Sequence, residues 1–254
     1  MTWVVLRRTS RAEWSRIWSL RSSWLLLGAT VVAVVGLGAA IGIDAAGSST
    51  GTPPGESAWD GARVTAMFAL FGVLAMAVLS STSDYGTGGI VPTLQWTPRR
   101  GILLAARAGV ITCAVAALGV VAVAVASVVV HGIVPGTRLP VREGLEGLAG
   151  LGFVFVTAAL VSVGIGLAVR STAGGLVSVI ALILVLPLVL GNLPQQWAVD
   201  LASVMPGSSA IYLIVGDGPS ESMTATSARL TLAIWAIAAL AGGGWRLLRT
   251  DASG

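Results

Sequence analysis

Six long apolar runs divide the chain, at about residues 24–43, 64–83, 102–130, 148–169, 175–190 and 230–248. A helix needs about 20 apolar residues to cross roughly 30 Å of hydrocarbon, so the pattern predicts six transmembrane helices. The third run opens with Arg107 close enough to its start to snorkel into the headgroups. The sixth is the shortest, and reaches a workable length by extending to Leu248 with Arg246 snorkelling in the same way. The first run is longer than the roughly 7–15 residues of a signal-peptide core, and residues 1–23 precede it; it is expected to be retained. No Asp, Glu, Lys, Arg or His stands in the middle third of any run.

Three polar stretches carry patterns of their own. Residues 11–24 have helical periodicity, with Trp14, Ile17, Trp18, Trp24 and Leu25 on one side. Ser15, Arg16, Ser19, Ser22 and Ser23 fall on the other. Such a helix is suited to the membrane interface, either as a plain anchor for the first span or as a connector that also touches a partner. Between the second and third runs, residues 83–101 combine an acid and a tyrosine, a Gly-rich turn and a Pro98-Arg99-Arg100 ending. A simple inner loop needs only a few residues. Between the fifth and sixth runs, residues 194–206 and 207–216 read as two short helices, each started or stopped by a proline. They form either a re-entrant hairpin or a pair lying on the surface of the bundle.

Composition sharpens the class. Apolar residues make up 55% and charged residues 10%, with a mean hydropathy of +0.89. A soluble domain carries roughly 25% charged residues, so this chain cannot clothe a globule in water. The expected fold class is an all-α integral membrane protein. An N-terminal amphipathic helix covers residues 1–23, the six-span domain residues 24–248, and a short tail residues 249–254. All 15 basic residues are arginine, and with the N-terminus inside only Arg63, Arg138, Arg142 and Arg229 fall outside. That bias places both termini in the cytoplasm. The pI near 10.5 reflects 15 arginines against 11 acids, a net charge of only +4, and with the arginines gathered on the inner side no nucleic-acid partner is expected.

Several chemistries are excluded or disfavoured. Without lysine there is no Gly-x-x-x-x-Gly-Lys-[Ser/Thr] phosphate loop, so no nucleotide is hydrolysed by that route and no enzyme activity is expected. A lone Cys113, read as a small core residue, and a lone His131, read as an interfacial one, make no metal site. The uncharged span centres weigh against ion-coupled transport and intramembrane catalysis. Gly38 and Gly42 in the first span, and Gly164 and Gly166 in the fourth, permit close helix approach.

Two stretches resemble the membrane-spanning subunits of type-2 ABC exporters. Those permeases open with a connector helix of Glu-Trp…Arg-Ser form, which Glu13, Trp14, Arg21 and Ser22 match, Arg16 lying between them. After the second span they carry an acid-Tyr-x-x-Gly-x-Ile-x-x-Thr-Leu…Pro-Arg-Arg stretch. Asp84, Tyr85, Gly88, Ile90, Thr93, Leu94, Pro98, Arg99 and Arg100 match it, Asp84 standing where Glu is commoner. The resemblance implies that both stretches couple the spans to an ATP-binding cassette ATPase subunit, with Asp84 pairing to an arginine of this chain or of the ATPase. It implies that ATP and Mg sit on that partner, with no cofactor on this chain. It also implies a second permease, identical or sister, and an outer gate that includes Pro194, Trp197, Pro206 and Tyr212. The expected function is export of a hydrophobic or amphipathic substrate (drug, antibiotic, peptide or lipid) from a bacterial cell through its plasma membrane. The alternative is a membrane scaffold or sensor that transports nothing.

Overall fold

The computed structural model describes residues 2–47, 56–86 and 100–249, and among them the fold is built from helices alone. α1 spans Thr2–Ser19 and α2 Arg21–Gly47, separated at Leu20. A short α3, Ala58–Arg63, runs with a one-residue break into α4, Thr65–Gly86. α5 spans Arg100–Ile133 and α6 Val141–Val169. α7, Thr172–Ile180, passes through a wider turn at Ala181–Val185 into α8, Leu186–Gly191. Two short helices follow, α9 at Gln196–Ser203 and α10 at Pro206–Val215, before α11 at Ala225–Arg249.

Six of these stretches are long and apolar enough to cross a membrane: α2, α3–α4, α5, α6, α7–α8 and α11. The chain is an all-α membrane protein with several passes. Each helix outruns its apolar stretch at one end or both, because backbone hydrogen bonding continues through polar flanks that hydropathy leaves out. α4 and α6 stand nearest the centre, and α2 and α11 pack on the flanks. The small residues fix how closely they pack. A Cβ on Gly164 of α6 would lie 2.3 Å from the Ala239 backbone of α11, and one on Gly243 would lie 2.2 Å from the Gly164 carbonyl oxygen. The two backbones touch at a crossing that only glycine permits. Gly38 and Gly42 play a milder version of this role against Ala126 and Ile133 of α5. Cys113 is a correction to the sequence reading: it is exposed on the outside of α5 rather than packed in the core.

The connections sort into two ends. At one, Arg100 of α5 donates to the carbonyls of Leu247 and Leu248 of α11 at 3.2 and 3.3 Å. Arg246 donates to the Ala168 carbonyl, and Arg170 to the Arg246 carbonyl at 3.2 Å. These guanidiniums serve carbonyls that helix ends leave without intrahelical donors. Arg170 closes α6 in the left-handed region at φ 58°, where glycine is usual, and its guanidinium lies 5.7 Å from the Tyr85 ring centre. At the far end, the stretch before α3 pairs with the one before α6, through Ala58 N–H to Arg138 O and Arg138 N–H to Glu56 O, both 3.0 Å.

The α9–α10 pair bends by 75° and tucks into this far end. Pro187 has no N–H for the Ile183 carbonyl, and the helix widens there, with Leu186 N–H reaching Ala181 O. Gly207 fits against that stretch: a Cβ on it would lie 1.8 Å from the Ile183 oxygen. Ile183 is roughly 12 Å of helix inside the end at Gly191. Trp235 of α11 donates its indole N–H to Val204 O at 2.9 Å, holding the bend from the other side. Residues 205–210 are buried. The bend therefore lies among the spans, and α10 returns from it toward the end.

Candidate functional site

At the end of the bundle that holds α1, four charged side chains close a ring. Arg16 on α1 binds Glu13, one helical turn before it, and Asp84 at the end of α4, both at 2.6 Å. Arg107 of α5 binds the same two carboxylates: Glu13 through Nη2 and Nε at 3.1 and 3.3 Å, and Asp84 through Nη2. Each acid thus bridges both arginines and each arginine both acids. Arg16 adds bonds to the Ser80 carbonyl at 2.7 Å and the Ser83 hydroxyl at 3.4 Å.

Local sequence explains how these groups meet. Glu13 and Arg16 share a face at i, i+3 spacing. Ile17, on that same side of α1, is buried and joins the hydrophobic core. Asp84 falls in the last turn of α4, and Arg107 about two turns into α5, so antiparallel packing of these helices brings them level.

Arg107 is 0% exposed and Glu13 4%, whereas the Arg16 side chain remains 21% exposed. Taking a guanidinium out of water is costly, and the interior repays it only with matched, well-placed counter-charges. Two acids and two bases sum to zero, so the ring is a neutral object inside an apolar bundle. Arg107 Nη1 and the Tyr85 hydroxyl are buried with no partner among the described residues.

The sequence-predicted residues divide accordingly. Glu13, Arg16 and Asp84 belong to the ring, and Asp84 finds its arginines within this chain. Arg107 corrects the reading above: it turns inward to two acids and does not snorkel to lipid. The helix read over residues 11–24 breaks at Leu20, and Arg16, read as lying opposite Ile17, docks beside it: α1 packs through Glu13, Arg16 and Ile17, while Trp14 is 50% and Trp24 55% exposed. Those two indoles flank Trp18, with ring centres 5.6 and 5.2 Å from it, and Trp24 Nε1 donates to Trp18 O at 3.0 Å. Arg21 and Ser22 are exposed and take no part in the ring. Tyr85 adjoins it beneath Arg170, and Arg100 binds α11 instead. Gly88, Ile90, Thr93, Leu94, Pro98 and Arg99 lie outside the described residues.

Of the residues assigned to an outer gate, Pro206 is buried at the bend against α7–α8 and Tyr212 is half-buried on α10. Trp197 on α9 is exposed, as is Pro194 just before it. No group of three or more metal-binding side chains occurs among the described residues. No protein-family model matches the chain, and no curated protein matches it.

Proposed function

We propose that this chain is the permease subunit of an ATP-binding cassette exporter, moving a hydrophobic or amphipathic molecule out of a bacterial cell. The single observation that carries the reading is the charge ring. It ties α1 to the end of α4 and the start of α5, the elements that the resemblance assigns to ATPase coupling. A buried ion pair adds little net stability compared with apolar packing, but it fixes geometry. Here it makes α1, α4 and α5 move together. In this reading a cytoplasmic ATPase grips α1 and residues 87–99, and its closure passes through the ring into the spans. ATP and Mg stay on that subunit, and a second permease, identical or sister, completes the route.

The α9–α10 bend supports the same reading as a wedge at the exit. It closes the space between α7–α8 and α11, and Trp235 and Gly207 hold it there by one hydrogen bond and one backbone contact.

The test is purification of the chain from its native membrane. A nucleotide-binding subunit is expected to accompany it, and the reconstituted pair to hydrolyse ATP faster than the ATPase alone. Recovery of the chain alone, with no stimulation of that ATPase, would overturn the proposal in favour of a scaffold or sensor.

A further inference from the structure

The far end of the bundle holds a cavity of about 280 Å³ between α3, α5, α6 and α10. Ligand pockets of this kind run from about 300 Å³ upward and combine an apolar body with few polar groups. Its floor is apolar, formed by Val123, Leu148, Leu151 and Leu213. Its rim carries three carboxylates, Asp60, Glu143 and Glu146, against one guanidinium, Arg63. Arg63 is 3.6 Å from Asp60, and Glu146 reaches Arg142 at 3.0 Å. Glu143 has no ion-pair partner among the described residues. The Trp59 indole N–H and the Ser57 hydroxyl, both in the wall, are buried and lack partners as well. Trp59 itself is braced on Gly144, where a Cβ would come within 2.3 Å of the ring. Glycine at that position lets the indole form a wall of the cavity.

We infer that this cavity binds an amphipathic organic cation, its apolar part on the leucine floor and its charge among Asp60, Glu143 and Glu146. The sign follows from three carboxylates against Arg63 and Arg142, which leaves Glu143 without a counter-charge among the described residues, and the low-dielectric floor strengthens attraction at the rim. An inorganic cation would leave the floor unused, and an anion would meet like charge. The inference deepens the exporter reading, in which this end faces outward and the cavity is a station for cargo.

Binding is testable without any ATPase. The full chain in nanodiscs of zwitterionic lipid is titrated with tetraphenylphosphonium and, separately, tetraphenylborate, a probe of the same shape and opposite charge. Saturable phosphonium binding above that of empty discs is expected, with no such excess for borate. Three exposed charge contacts together make the Asp60→Asn, Glu143→Gln, Glu146→Gln variant about tenfold weaker. Leu151→Trp, which fills the floor, is expected to abolish binding. Equal binding of both probes, no saturable excess, or an unchanged affinity in the triple variant would overturn the inference. An ATPase that copurifies with a chain that binds no cation leaves the exporter reading standing. A chain that binds cations but recruits no ATPase removes that reading alone.

Discussion

Arg107 and Glu13 are 94 residues apart in sequence and 3.1 Å apart in space. Glu13 stands on a helix outside the six spans, and Arg107 is fully enclosed within one. The contact joins the N-terminal helix to the bundle interior with a charge on each side. Neither residue tolerates loss of the other cheaply, because a buried charge without its counter-charge is the costliest element a bundle can contain.

Arg107→Met is therefore expected to destabilise the protein by about 3–5 kcal/mol, leaving two carboxylates to share Arg16. Adding Asp84→Asn removes the matching acid and restores neutrality to the Glu13–Arg16 pair. The double variant should melt higher than Arg107→Met alone in a thermal unfolding series in detergent. Strict additivity of the two substitutions would mean that the pair is uncoupled.

The α6–α11 crossing gives a contrast between two glycines. Gly164→Val places atoms where the Ala239 backbone stands, and overpacking of this kind costs roughly 1–3 kcal/mol. Gly242→Ala, one position from Gly243 in α11, meets nothing within 4 Å and should be neutral or stabilising by up to about 1 kcal/mol. Melting temperatures of the two variants check this directly.

Trp235→Phe keeps an aromatic ring, though a smaller one, and removes the hydrogen bond to Val204 O. The α9–α10 bend should loosen while the span helices hold. Hydrogen exchange is expected to speed up for residues 196–215 and to stay unchanged in α4 and α6. Uniform acceleration across the bundle would show that Trp235 acts on overall stability instead.

Cys113 offers a probe that needs no substitution. Its side chain is exposed on a helix long enough to span the bilayer. In the bilayer its thiol faces hydrocarbon and stays protonated, so a charged, impermeant maleimide should leave it unmodified until denaturation exposes it. With Cys113→Ala as background, cysteines at Ser22 and Thr226, at opposite ends of the bundle, should label from opposite sides of the membrane. Labelling of Ser22→Cys from outside intact cells would reverse the orientation and detach the ring from any cytoplasmic partner.

The number and order of the spans were legible because crossing a bilayer depends on a local sum: about 20 consecutive residues either are apolar enough or are not. The proline-bounded helices after the fifth run were legible too, since Pro194 and Pro206 act on their own backbone. The reach of that pair into the bundle was not, for it turns on Gly207 meeting Ile183 and on Trp235 meeting Val204. Arg107 shows the same divide more sharply. Two turns from a helix start, a lone arginine has the pattern of a snorkelling residue, and nothing near it in the chain reveals an acid. Its acids come from α1 and α4.

Sequence alone determined that the chain enters the membrane, in how many segments, and which residues near the ends of those segments bear charge. Only the tertiary structure decided which way those charges turn, for that depends on the rotation of each helix about its axis. That rotation is set by packing against the others, above all where glycines let backbones touch. Hydropathy is blind to it, since an arginine directed at lipid headgroups and one directed at two buried carboxylates contribute the same term to the sum.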